Sequence, residues 1–158
     1  MLQTGQPAPG FDLPDADMEV VSLDGFKNRS NVVLYFYPKD DTPGCAMEAI
    51  DFSDQQDDFT KLDAVVLGVS MDDCLSHGAF CDKHGLAVRL LADVDGEVCS
   101  RYGVMHEKER EDRTKMCIQR STCVIDKHSV LKHVLYGVSP RGHADEVLGL
   151  LKSMAKCK

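Results

Sequence analysis

Cys45 carries the clearest chemistry in the chain. It closes the run Tyr35-Phe36-Tyr37-Pro38-Lys39-Asp40-Asp41-Thr42-Pro43-Gly44-Cys45. Thr42 reads as a helix N-cap and Pro43 as the first helical position, where a missing N–H costs nothing. Cys45 then occupies the third helical position. A capping box places Glu or Gln there, a group suited to the free backbone N–H donors. Helix N-termini favour anions and lower cysteine pKa values, and the thiolate is the reactive form of a thiol. The sequence therefore predicts a site that activates one sulfur, whereas an ordinary core cysteine has no reason to follow Thr-Pro-Gly at a cap.

The other thiols call for a separate reading. Seven cysteines, odd in number and irregularly spaced, do not fit a secreted disulfide framework, and no C-x-x-C dithiol motif is present. Cys74, His77, Cys81 and His84 repeat as Cys-x-x-His twice and offer metal-ligand types. All four fall in one predicted helix, whose ten residues rise about 15 Å, too far for one tetrahedral ion to reach them all. Neither a metal nor a cofactor is expected. A cysteine hydrolase would need a histidine beside Cys45, and His77, His133 and His143 stay open as candidates. A non-catalytic redox or binding module would leave Cys45 with ordinary reactivity.

The elements that must hold Cys45 follow from patterning. Residues 32–37 are a continuous apolar run, read as a buried strand that Pro38 ends, with Lys39-Asp40-Asp41 as a polar turn. A helix is predicted from Pro43 to about Phe59, with Cys45, Ala49, Phe52, Gln56 and Phe59 on one face and Asp51, Asp54, Asp57 and Asp58 as a solvated surface. Residues 64–70 read as a second buried, parallel strand. Asp72 or Asp73 caps a helix running to about His84, with Gly85 as its stop.

Residues 88–91 form a short strand, and a short helix is predicted near 96–102. The charge run 106–115 reads as a solvated loop or exposed helix without chemistry. Residues 117–126 and 130–136 are predicted as two strands of a hairpin, followed by a helix over about 142–155. The N-terminal stretch is turn-rich, with short strands around Phe11–Leu13 and over 18–23. This order predicts an α/β layer fold with a mixed sheet in a single domain spanning 1–158. No apolar run is long enough to span a bilayer, the first residues lack signal-peptide character, and a cytoplasmic location is the default. A net charge of -8 argues against nucleic acid as a partner.

The pattern Pro38-x-x-x-Thr42-x-x-Cys45 resembles the active-site motif of peroxiredoxins. Its wider context, YFYPKDDTPGC, is similar to the PrxQ branch, also called bacterioferritin-comigratory-protein-like. Ala8-Pro9-Gly10-Phe11-Asp12-Leu13 resembles that family's N-terminal AP-x-F-x-L, and the likeness runs from about Gly5 to Lys152. It implies a thioredoxin-like fold, a mixed central sheet flanked by helices. It also implies a thiol peroxidase acting on hydrogen peroxide and organic hydroperoxides. In such chemistry a thiolate attacks one oxygen of the O–O bond, giving a sulfenic acid and a departing hydroxide or alkoxide. The resemblance makes Cys45 the peroxidatic nucleophile. Thr42 offers a hydroxyl beside the sulfur, Pro38 walls the site, and the N–H groups of Gly44 and Cys45 stabilise negative charge.

Two further residues come from the same likeness. Alone, Arg120 reads as a surface arginine at a strand start. Residues 118–126 resemble the family's R-[ST]-[TS]-F-x-[IL]-[DS] strand, whose arginine approaches the active-site sulfur, and Arg120 takes that place. Cys117 stands where relatives usually have Gly, and Cys123 where they usually have Phe.

A resolving cysteine five positions after the first would be at 50, and Ile50 closes that route. Ser76-His77-Gly78-Ala79-Phe80-Cys81 resembles the SH-x-x-F-C of another subgroup, which makes Cys81 the resolving residue. Cys157 pairing across subunits is the alternative, although the intermolecular Val-Cys-Pro motif is absent. A thioredoxin- or glutaredoxin-type reductant is implied, together with a monomer or, as the alternative, a weak homodimer. Reduced Cys45 and Cys81 are expected to lie too far apart to bond, so that resolution requires local unwinding.

Overall fold

The computed structural model describes residues 2–110 and 113–156. Two short strands, β1 (Asp12–Pro14) and β2 (Val20–Ser22), form an antiparallel hairpin, and a 3-10 turn follows over Leu23–Phe26. Next come β3 (Asn31–Phe36), the helices α1 (Pro43–Asp54) and α2 (Gln56–Lys61), β4 (Ala64–Ser70), α3 (Cys74–His84), β5 (Arg89–Ala92) and α4 (Glu97–Arg101). The C-terminal part holds β6 (Met105–Arg110), β7 (Arg113–Ile118), β8 (Ser121–Ile125), β9 (Leu131–Tyr136) and α5 (His143–Lys156).

The main sheet has the order β5-β4-β3-β8-β9, with β4 and β5 parallel to β3, β8 antiparallel to β3, and β9 antiparallel to β8. β3 sits at its centre, and after Asn31 it is buried throughout, from Val32 to Phe36, because both faces are covered. Val32, Leu34 and Phe36 face one core with Phe11, Leu13, Val98 and Tyr102. Val33, Tyr35 and Tyr37 face the other, with Cys45, Phe52, Phe80 and Leu148 from the helical layer.

The register matters for the site. Phe36 pairs with Val69 on one side and Ser121 on the other. The end of β3 that leads into the Cys45 loop therefore lies next to the start of β8, and Arg120 is the residue just before it.

Several boundaries differ from the sequence reading. The helix over 43–59 breaks at Gln55. Asp51, Asp54, Asp57 and Asp58 would stack like charges at spacings of three and four along one continuous helix, which is unfavourable. The charge run 106–115 contributes to β6 and β7, an antiparallel ribbon in which His106 pairs with Cys117. A two-stranded ribbon outside the main sheet can carry charges as readily as an exposed helix, so composition does not tell the two apart. The hydrophobic anchors are at its base, where Met105 packs against the core and Ile118 is buried within it. The long strand over 117–126 divides at Gln119 and Arg120, where the Gln119 amide donates to the Val104 carbonyl at 2.7 Å. The second N-terminal strand begins at Val20, because Met18 takes a left-handed φ of 66° in the turn. Asp73 caps α3 by accepting from the Ser76 amide, and Gly85 closes it.

Gly68 in β4 is dictated by its neighbour across the pair. Tyr35 stacks on Phe52 at 4.7 Å and 19° and spreads over Gly68. A Cβ at Gly68 would lie 2.6 Å from Tyr35 Cζ and 2.8 Å from Leu90 Cδ2. Gly68→Ala is expected to cost about 1–3 kcal/mol through overpacking, read as a lower urea midpoint at unchanged slope. An unchanged midpoint would mean that Tyr35 moves aside freely.

Candidate active site

The sulfur of Cys45 is buried at 1% exposure, at the third position of α1. Thr42 has the extended backbone of an N-cap, φ −88° and ψ 153°. Its hydroxyl does not cap the helix. It donates instead to the Lys39 carbonyl at 3.0 Å and so ties the loop to itself. The Thr42 oxygen keeps its lone pairs free to accept, while the first-turn amides of Gly44 and Cys45 have no partner within the helix.

Arg120 reaches this helix start from the gap between β7 and β8. Its Nη2 donates to Cys45 Sγ at 3.3 Å, and its Nη1 donates to Glu48 Oε1 at 2.7 Å. Its backbone carbonyl accepts from the Val138 amide at 2.9 Å, which fixes the residue against the chain after β9. Gly44 makes the approach possible. A Cβ there would lie 3.2 Å from Arg120 Nη2 and 3.4 Å from Pro140 Cγ. Burial works against the guanidinium charge, but the Glu48 carboxylate and the Cys45 sulfur outweigh it and hold the Arg120 pKa above its ordinary value.

Glu48 is a site residue that the sequence reading missed. It lies one turn after Cys45, 1% exposed, with Oε2 unpartnered among the described residues. Burial pushes its carboxyl from the ordinary 4.5 up to about 7, with Arg120 pulling partly the other way. A sequence signal did exist: Glu48 stands three residues from Cys45 beside the apolar Ala49 and Phe52, where a solvated carboxylate is out of place. Asking which buried cation could meet it would have pointed to Arg120.

Pro38 is exposed and lines the rim of an open groove of about 880 Å³, together with Thr42, Arg120, Met71, Met116 and Val138. Cys117 lines the same groove. Cys81 lies in α3, half-buried and packed against the core cluster that contains Cys45. Both are free thiols. Burial and the nearby Asp40, Asp82 and Asp17 push the Cys81 thiol up to about 11, so it is protonated while α3 is wound. Cys123 is a core thiol, pushed by burial to about 12. Cys157 lies outside the described residues.

The rival constellations do not assemble. His77 turns both ring nitrogens to Asp40 and the Leu91 carbonyl, while His84 meets Asp41, so the Cys-x-x-His repeat does not converge. His143 meets Thr122 and Glu146. Among the described residues the side-chain hydrogen bond to Cys45 Sγ comes from Arg120, not from a histidine base.

The raised Glu48 carboxyl has a consequence for stability. The folded group keeps its proton to a higher pH than the unfolded one, so folding takes up a proton between 4.5 and about 7. Its contribution is full below that window and is lost as pH rises through it. The urea midpoint of the wild type is therefore expected to fall across this window relative to that of Glu48→Gln. Parallel profiles would mean that Glu48 titrates as an ordinary carboxylate.

Known proteins give the arrangement its context. The AhpC/TSA family model matches residues 4–134. A putative peroxiredoxin bcp from Coxiella burnetii is 44% identical over 150 residues, covering 95% of this chain and 99% of the relative. Peroxiredoxin Bcp of Bacillus subtilis is 40% identical, with 98% of each chain covered. Among solved structures, a mutant of Xylella fastidiosa PrxQ superposes with a TM-score of 0.92 at 33% identity, covering 98% of both chains. The Xanthomonas campestris bacterioferritin comigratory protein, described with an alkyl peroxide reduction activity, superposes with a TM-score of 0.87 at 34% identity over 92% of each chain. The fold is thioredoxin-like, and the chain belongs to the peroxiredoxins of the Bcp/PrxQ type, thiol-dependent peroxidases that act on peroxides with thiol reductants.

Proposed function

We propose that Cys45 is the peroxidatic cysteine and Cys81 the resolving one, in a single thioredoxin-like domain acting as an atypical two-cysteine peroxidase. The observation that carries this reading is the Arg120 Nη2 donor 3.3 Å from Cys45 Sγ, at a helix start with two free amides. The Cys45 thiolate attacks the nearer peroxide oxygen. The S–O bond forms as the O–O bond breaks, and the leaving oxygen takes a proton as it departs as water or an alcohol. Arg120 and the Gly44 and Cys45 amides meet the charge developing on that oxygen. Thr42 accepts from the peroxide hydroxyl and so aligns it.

The groove beside Pro38 supports a substrate class wider than hydrogen peroxide. Met71, Met116 and Val138 offer apolar surface next to the polar Thr42 and Arg120, which suits an organic hydroperoxide with its alkyl part along the groove. The Cys81 thiol then displaces water from the sulfenic acid, giving a Cys45–Cys81 disulfide. A thioredoxin- or glutaredoxin-type dithiol reduces that bond. Among the described residues no helix is long and apolar enough to cross a membrane. A cytoplasmic location and a monomeric state complete the proposal.

Cys45→Ser is expected to abolish peroxide-dependent consumption of a dithiol, since a hydroxyl does not ionise usefully at neutral pH. Turnover above a few per cent of wild type would remove Cys45 from its role. Arg120→Lys is expected to slow single-turnover sulfenate formation about tenfold or more, because the planar fork that joins sulfur and carboxylate is lost. An unchanged rate would make Arg120 structural. Mass mapping after one equivalent of peroxide should find Cys45 joined to Cys81. A Cys45–Cys157 bond between subunits would refute that assignment.

A further inference from the structure

The loop that carries the peroxidatic motif also holds the helix that carries Cys81. Asp40 and Asp41 are adjacent in that loop, yet their side chains take hold of opposite ends of α3. Asp40 is buried and binds the first turn: Ser76 Oγ donates to its Oδ2 at 2.7 Å, and His77 Nδ1 meets the same oxygen at 2.8 Å. Tyr37, at the end of β3, donates to the other Asp40 oxygen at 2.6 Å. Asp41 is exposed and binds the last turn, with Lys83 Nζ at 2.7 Å and His84 Nε2 at 2.9 Å. Cys81 lies between the two grips.

Besides these grips α3 has the Asp73 cap, the contact of His77 Nε2 with the Leu91 carbonyl at 2.9 Å and the packing of Phe80 against Tyr37. Within it only His77 and Phe80 are fully buried, and Gly78 stands in its middle with open space where a Cβ would be. An interior glycine costs a helix about 1 kcal/mol relative to alanine. The Asp41 backbone is itself in the left-handed region at φ 59°, unusual for a residue with a side chain, and is held there by these contacts. Burial pushes the Asp40 carboxyl up, but hydrogen bonds from His77, Tyr37 and Ser76 overcome this and hold it below the usual carboxylate range. The inner grip therefore holds a carboxylate by hydrogen bonds, and both grips belong to α3 only in its wound form.

We infer that Asp40 and Asp41 are positioning residues that clamp α3 shut over Cys81 and so set the rate at which the Cys45 sulfenic acid is resolved. The inference rests on Cys81 as the resolving cysteine. Release of the clamps lets α3 open locally, as weakly held helices do, and brings Cys81 out of the environment that keeps its thiol protonated. While the clamps hold, the sulfenic acid stays exposed to a second peroxide, which would carry it to sulfinic acid.

Asp41→Asn tests the outer grip. Asparagine tolerates the left-handed backbone but removes the charge that Lys83 and His84 share. Ser76→Ala tests the inner grip without leaving a charge unpaired. In each variant, amide exchange over 76–84 of the reduced protein and the first-order rate of Cys45–Cys81 disulfide formation should both rise, about threefold for Asp41→Asn, the range of an exposed ion pair, and at least as much for Ser76→Ala, which loses a hydrogen bond to a charged group. Second-order sulfenate formation should be unchanged, and the over-oxidised fraction under excess peroxide should fall. A role in fold stability alone would not accelerate one chemical step while sparing the other. Unchanged exchange and unchanged resolution would overturn the clamp, and slower resolution would mean that the grips orient Cys81 instead of restraining it. If mapping of the wild type finds no Cys45–Cys81 bond, the resolving role fails and the gate fails with it, a result separable from a clamp that does not hold.

Discussion

One guanidinium between a thiol and a carboxylate, both buried, is the contact on which the site depends. Arg120 donates to Cys45 Sγ and to Glu48 Oε1 with the two arms of its fork. A lysine could offer neither the planarity nor the two directions. Three groups that each prefer water are thereby withdrawn from it, and burying any one of them alone would be unfavourable. The rest of the architecture follows from this requirement. β8 has to run antiparallel beside β3 so that its start faces the Cys45 loop. Glycine at residue 44 leaves room for the guanidinium, since a Cβ there would crowd Arg120 Nη2 at 3.2 Å.

The two thiols assigned to the chemistry sit in opposite surroundings. Cys45 has a cation at its sulfur. Cys81 has burial and three aspartates, and its pKa rises to about 11. A poor nucleophile at rest is useful in a resolving position, since it does not compete for peroxide. In the proposed resolving role it has to change environment before it can act, and α3 resists that change with two fully buried residues, His77 and Phe80.

Most of the scaffold was legible because its signals are local. The apolar run of β3, the Thr-Pro opening of α1, the Asp73 cap and the Gly85 stop each state their structure within a few residues. The core of the site was legible through Cys45 and its motif, and through Arg120 only by family likeness, since nothing around it marks a catalytic arginine. Glu48 was missed because periodicity assigns a charged residue to the surface unless a distant partner is known, and that partner lies 72 residues on. The Thr42 hydroxyl went to Lys39 because a capping rule names a preference and not a choice between two nearby acceptors. The β6–β7 ribbon was missed because a run of charged residues lacks the alternation that marks a strand against a core.

The acidic loop gives the cycle a direction. Two carboxylates stand a few residues before Cys45. Wound α3 supplies the donors that hold them, so the form of the protein ready for peroxide is also the form in which Asp40 and Asp41 are satisfied. Opening α3 strips those donors away and leaves Asp40 with fewer partners in a buried position, a condition that is costly for a carboxylate. A disulfide between Cys45 and Cys81 would have to maintain the open form against that cost. In the proposed cycle a reductant that cleaves the bond removes that constraint, and the carboxylates would draw α3 back to its wound state over Cys81.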